Sequence, residues 1–143
     1  KDDERQILRS SARTDIKKQK RSTIKATSII KAQKSINDIY VDEKVEEYVL
    51  NLVFATRNPI EHDLEDLSQL IQYGASPRAT INLILASKAR AFVEGRGYIT
   101  PEDVRYIGKD VLRHRVILTY EAEAEELTSE DIIQRLFDSI EIP

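Results

Sequence analysis

The chain has 143 residues, no cysteine, four glycines and a formal net charge of −3. That length suits one domain, or one domain with a tail, and the missing cysteines exclude disulfides, thiolate metal sites and a cysteine nucleophile. No apolar run approaches the ~20 residues of a membrane span, and His62 and His114 are too far apart for a local zinc motif, so no metal site is expected.

Residues 3–13 can form a helix with Ile7, Leu8 and Ala12 on one side. Residues 14–26 are polar and basic and read as a linker. Charge is uneven: residues 1–34 hold eleven Lys/Arg against four Asp/Glu, and residues 35–143 hold eleven against twenty-one. The cluster Lys17-Lys18-Gln19-Lys20-Arg21 could touch nucleic acid. No aromatic interleaves the charges and no base-reading module follows, which favours a solvated linker. Thr27 is the predicted cap of a short helix over 28–36, with Ile29, Ile30 and Ile36 as its apolar contacts. Ile39-Tyr40-Val41 reads as extended. Asp42 then caps a strong helix to about Thr56, in which Val45, Tyr48, Val49, Leu52 and Val53 mark one buried stripe.

Asn58-Pro59 stops that helix. Residues 60–73 read as a loop with one helical turn between Leu64 and Leu70. Ser76 is the predicted N-cap and Pro77 the first residue of the next helix, which runs to Val93 or Glu94 and is expected to be central. Ile81, Ile84, Leu85, Ala89 and Phe92 form its predicted buried face, widened by Leu83 and Ala86. Gly95 and Gly97 end it. Thr100-Pro101-Glu102-Asp103 opens another helix, to about Leu112, with Val104, Ile107, Gly108, Val111 and Leu112 inward. Val116-Ile117-Leu118 is a candidate strand. An acidic stretch, Glu121 to Glu126, precedes a last helix capped at Thr128 or Ser129, burying Ile132, Ile133, Leu136, Phe137 and Ile140. The predicted fold is all-α, a helical bundle with two or three very short strands.

Phosphate loops, dinucleotide fingerprints, zinc-protease motifs and nucleophile elbows are all missing from the sequence. The acidic pairs Glu46-Glu47 and Glu102-Asp103 are expected on exposed faces or first turns. One position stands out. Arg78 falls in the first turn of a helix, where unpaired N–H groups and the macrodipole already concentrate positive potential. A cation there is mildly unfavourable unless an anion compensates, so Arg78 is a candidate phosphate contact. The alternative is a surface arginine paired with Glu61 or Asp63.

Three ordered segments then carry a specific resemblance: Gly74-Ala75-Ser76-Pro77-Arg78-Ala79 with Ala89-Arg90-Ala91, then Gly95-Arg96-Gly97-Tyr98-Ile99-Thr100-Pro101-Glu102-Asp103-Val104, then Val111-Leu112-Arg113-His114-Arg115-Val116. Together with Ala55-Thr56-Arg57, they resemble the C-terminal lid of MoxR-type AAA+ ATPases. Glu4-Arg5-Gln6-Ile7-Leu8 is similar to the segment joining core to lid. The resemblance implies residues 1–26 as connecting helix and basic linker, and residues 27–143 as the lid. It implies Arg78 as the sensor-2 arginine, reaching the terminal phosphates of ATP, with Ser76 and Pro77 adjacent to the nucleotide. Arg57, Arg113 and Arg115 are candidates for a hinge or a subunit contact; for all three, placement at a helix end is already explained by the dipole.

The resemblance further implies that the nucleotide-binding core, catalytic acid and arginine finger lie elsewhere in a longer parent. ATP and Mg2+ are expected in that intact parent and not in this piece, which is expected to have no activity alone. The chain contains no methionine, consistent with a fragment. Implied partners are the N-terminal core, neighbouring subunits of a ring oligomer, usually a hexamer, and a client protein that is remodelled. The charged start Lys1-Asp2-Asp3-Glu4-Arg5 lacks a signal-peptide pattern, and a cytoplasmic location is expected. Two other readings are a helical DNA-binding module using the basic N-terminal third, since Thr100-Pro101-Glu102-Asp103 also resembles histone-fold helices, and a protein-interaction module. A salt titration separates the first of these from the lid. A DNA binder would show affinity at low salt that falls steeply as salt rises; the lid is expected to show no such affinity in a fluorescence-anisotropy titration.

Overall fold

The structure is a computed structural model that describes residues 2–11 and 23–143, with side chains from residues 2–6 in the first helix. The basic cluster Lys17–Arg21 and the predicted contacts of Ile7, Leu8 and Ala12 lie outside the described residues. The chain divides into two compact units, Lys1–Ile30 and Lys31–Pro143.

In the first unit, α1 (Asp2–Ser11) opens with three acids, Asp2, Asp3 and Glu4, which suit a helix N-terminus. Arg5 pairs with Asp2 across one turn at 3.1 Å. Helix α2 (Ala26–Asn37) begins in this unit, one residue before the predicted Thr27 cap, and contains no buried residue. Ile29 and Ile30 are about half exposed, against expectation. Three isoleucines in this helix are too sparse to make a continuous apolar stripe.

The second unit starts from α3 (Glu43–Ala55). Asp42 accepts a hydrogen bond from the Lys44 N–H at 2.9 Å and so caps the helix. The predicted stripe Val45, Tyr48, Val49, Leu52 and Val53 is buried. A 3-10 turn (Pro59–His62) and the single-turn α4 (Glu65–Ser68) follow. They lead into β1 (Ile71–Tyr73), a strand within the span predicted as loop. It pairs antiparallel with β2 (Ile117–Leu118), Ile71 opposite Leu118 and Tyr73 opposite Ile117. A parallel bridge joins Tyr40, in the segment read as extended, to Tyr98. The acidic stretch holds a short helix, α7 (Tyr120–Ala124), anchored by fully buried Ala122. The last helix, α8 (Ser129–Ser139), is capped by Thr128 and buries Ile132, Ile133, Leu136 and Phe137 as expected. The second unit is therefore an all-α bundle with one two-stranded sheet.

The central helix, α5 (Pro77–Val93), packs on α3 and on α6 (Pro101–Leu112). Its orientation corrects the sequence reading in part: Leu83 is buried and Ile84 partly buried against the core, as expected. Ala79, Leu83, Ser87 and Ala91 face the core, whereas Ile81 and Leu85 are 58% and 49% exposed and Phe92 is also exposed. Both faces of α5 are apolar, so hydrophobic periodicity alone does not choose between them. The buried stripe recurs every four residues and is mostly small, which lets neighbouring helices approach closely.

Asp103 lies in the first turn of α6, as expected, but it is not solvated. It is 1% exposed and lies within a cage of donors. Arg96 makes two bonds to its carboxylate, at 2.7 and 2.6 Å, and the Arg90 Nε makes a third at 3.0 Å. The Thr100 N–H at 2.9 Å and its hydroxyl at 3.3 Å complete the set. Burial pushes the carboxyl's pKa up, but the Arg96 bonds and the Thr100 N–H outweigh it and hold the group below its usual range. A carboxyl held down in the folded state stabilises the fold at neutral pH. That contribution is lost as pH falls below about 4 and through the folded value. Asp103→Asn is expected to cost about 2 to 3 kcal/mol at pH 7, allowing for the partial exposure of both arginines. In urea unfolding the gap from the wild type should narrow towards pH 3; a gap independent of pH would contradict this account.

Candidate functional site

Ser76 has extended backbone (φ −76°, ψ 167°) and Pro77 occupies the first helical position of α5. The Ser76 carbonyl accepts from the Ala79 N–H at 2.8 Å, closing the first turn. The Ser76 side chain, however, makes no capping bond. Its hydroxyl and the Arg78 guanidinium both belong to exposed residues at the start of the helix. The ion pairs among the described residues use Arg5, Arg90, Arg96, Arg105, Arg113 and Arg135, and Arg78 is in none of them. The pairing with Glu61 or Asp63 considered from sequence is not formed; the Glu61 carboxylate instead meets the Asn58 amide at 3.4 Å.

The segment before the helix is held tightly. The buried Thr56 hydroxyl donates to the Val53 carbonyl at 2.6 Å and accepts from the Ala75 N–H at 2.9 Å. The neighbouring Arg57 donates from Nε to the Ala75 carbonyl at 2.5 Å. Its guanidinium lies 5.0 Å from the Phe54 ring centroid, a cation–π arrangement. Both polar groups flanking Ala75 are thus gripped by consecutive residues at the end of α3. Gly74 makes this possible: a Cβ there would sit 2.3 Å from the Thr56 carbonyl oxygen. A cleft of about 390 Å³ opens beside the grip, lined by Thr56, Arg57, Asn58, Ile60, Gln72 and Gly74 among others. The sequence carried one signal for this contact, a glycine just before a helix cap, where backbone approaches backbone.

The structure brings Ser76, Pro77, Arg78 and, through Ala75, Arg57 together. Arg113 and Arg115 lie apart, after α6. Arg113 pairs with Asp110 and, at 3.2 Å, with Glu130, and its Nε donates to the Lys109 carbonyl at 3.2 Å. Arg115 donates to the Val111 carbonyl at 3.0 Å. Both therefore satisfy helix-end carbonyls, as the dipole argument anticipates. Arg96 holds the Gly95–Gly97 turn, donating to the Tyr98 carbonyl at 3.2 Å as well as to Asp103. Tyr48 is buried and Tyr73 is 65% exposed. Among the described residues no group of three potential ligands could hold a metal ion, and no helix is long and apolar enough to cross a membrane.

This lid-like bundle, with a solvent-facing arginine at the start of its central helix, has clear counterparts. Residues 65–136 match the AAA lid domain model, and the chain belongs to that family. It is 35% identical over 125 residues to Chaperone MoxR1 of Mycobacterium tuberculosis, covering 87% of this chain and 33% of that one. It is 32% identical over 111 residues to Protein MoxR of Methylorubrum extorquens, covering 73% of this chain and 32% of that one. The chain thus spans about a third of the length of these curated relatives. A crystal structure from Cytophaga hutchinsonii, assigned as an ATPase, superposes with a TM-score of 0.91 at 37% identity, covering all of this chain and 43% of that one.

Gly74→Ala tests the close approach. It is expected to lose at least about 2 kcal/mol in urea unfolding, because the obstructing atom is backbone and cannot swing away. Gly97→Ala, where a Cβ would meet nothing within 4 Å, is expected to stay within about 0.5 kcal/mol of the wild type.

Proposed function

We propose that this lid closes over ATP held by a separate core module of the parent chain, with Arg78 contacting the terminal phosphates. Residues 1–26 serve as the connecting helix and linker, and residues 27–143 as the lid. The observation that carries this reading is the outer face of α5. Arg78, Ile81, Leu85, Ala89 and Phe92 recur at the three- and four-residue spacing of one helix face. That face therefore presents a cation in line with apolar side chains, opposite the stripe that packs into the bundle.

Arg78 fits a phosphate: it is exposed, engages no carboxylate among the ion pairs above, and stands where helix N–H groups add to its field. The uncapped Ser76 hydroxyl offers a second donor beside it. Bound ATP with Mg2+ would supply the terminal phosphate whose loss on hydrolysis removes the anion that Arg78 meets. Arg78 then loses its charge-assisted bonds and the lid is released to move, an order switch driven by one phosphate. Ile81, Leu85 and Phe92 supply non-directional contact that persists through the cycle. Coupled around a ring of subunits in the cytoplasm, such movements would remodel a client protein; the relative named as a chaperone supports this reading.

ATP turnover by the intact parent tests the assignment. A charge-assisted hydrogen bond is worth about 1.5 to 3 kcal/mol, so Arg78→Ala is expected to lower turnover roughly 10- to 100-fold. Unchanged turnover and nucleotide affinity would remove Arg78 from this role.

A further inference from the structure

We infer that Arg57 and Thr56 are positioning residues for Arg78: they fix the backbone from which its side chain reaches by gripping the Ala75 peptide groups. This rests on the phosphate-contact reading of Arg78. Only Ser76 and Pro77 separate Ala75 from Arg78. The pyrrolidine ring fixes φ at Pro77, and the Ala79 N–H to Ser76 carbonyl bond closes the turn. Little torsional freedom therefore remains between the gripped residue and the arginine. The Ala75 N–H is held by the Thr56 hydroxyl at 2.9 Å and its C=O by the Arg57 Nε at 2.5 Å. Opposed restraints on the two polar groups of one residue limit both translation and tilt of the chain.

The grip is not needed to keep α5 folded. The helix is already anchored along its length by buried Ala79, Leu83, Ser87 and Ala91, and near its other end by Arg90 on Asp103. A loosened grip would leave the helix in place and let its first turn wander. Wandering of about 1 Å is enough to cost on the order of 100-fold where a charged group must meet a reacting centre. Arg57 is also committed elsewhere in its geometry. It is only half-exposed, its Nε is used by Ala75 and its guanidinium lies on Phe54, so an internal role accounts for it more fully than a subunit contact.

The test is a double-mutant cycle in the intact parent, reading kcat for ATP hydrolysis and the thermal midpoint. Arg57→Met is expected to lower kcat about tenfold while shifting the midpoint by only a few degrees. In the Arg78→Ala background the same substitution is expected to change kcat less than twofold, because a positioning residue has nothing left to aim. Arg57→Lys, which keeps a donor for the Ala75 carbonyl, should recover part of the loss. Thr56→Ser should resemble the wild type, and Thr56→Val, which removes the hydroxyl, should resemble Arg57→Met. If Arg57→Met lowers kcat by the same factor with and without Arg78, or leaves it unchanged while Arg78→Ala does not, the positioning role is overturned and the phosphate reading stands. If Arg78→Ala has no effect, the phosphate reading fails and the positioning role with it. If neither Arg57→Met nor Thr56→Val yields folded protein, both residues are structural and the inference is overturned.

Discussion

Asp103 is a buried carboxylate that two arginines and a threonine compete to satisfy, and the geometry of the central helix pair follows from it. Removing such a charge from water costs several kcal/mol unless its lone pairs are filled. Here five bonds fill them, and the donors come from three places: α5 through Arg90, the Gly95–Gly97 turn through Arg96, and the start of α6 through Thr100. Arg90 is further sandwiched, its guanidinium 3.4 Å from the Tyr106 ring centroid. The carboxylate is content only when helix, turn and helix hold one mutual arrangement. That constraint fixes α5 near its C-terminal end, and the hold on Ala75 fixes it at its start.

A helix pinned at both ends and packed by a small-residue stripe must turn its larger apolar side chains outward. Ile81, Leu85 and Phe92 accordingly face water on the same side as Arg78. The remaining half of each such side chain is worth roughly 1 kcal/mol when covered. Three of them together match the contribution of one charge-assisted bond. An occupant of this face would therefore gain as much from non-polar contact as from the arginine, and only the arginine's share would depend on phosphate. This division suits the proposed lid movement, in which contact loosens without detaching.

Much of this was legible in the residues. Asp42, Thr100 and Thr128 announce helix starts because short polar side chains before an apolar period have few other uses. Val45 to Val53 announce α3 because they keep the helical period unbroken behind the charged residues Glu43, Lys44, Glu46 and Glu47 of its first turns. The two-fold ambiguity of α5 was not legible: Ala79, Ser87 and Ala91 look less hydrophobic than Ile81, Leu85 and Phe92, and only tertiary packing reveals that close approach prefers the small set. Strand β1 was hidden because Ile71–Tyr73 is three residues long and its partner lies more than forty residues away. At the candidate site, the exposed first-turn place of Arg78 was readable from Ser76-Pro77; for the hold on Ala75 the sequence offered Gly74 alone, and the parts played by Thr56 and Arg57 were not readable. Their bonds run to backbone atoms some eighteen residues distant, which leave no trace in local pattern.

The central claim is that an arginine aimed from a rigidly held helix start meets the terminal phosphates of ATP, while the apolar face behind it rests on a neighbouring module. A structure of the intact parent with a non-hydrolysable ATP analogue tests it most directly. The account predicts the Arg78 guanidinium within hydrogen-bonding distance of the phosphate chain and Ile81, Leu85 and Phe92 withdrawn from solvent. Arg78 paired with a protein carboxylate or left in bulk water, with nucleotide bound and that apolar row still wet, would contradict it.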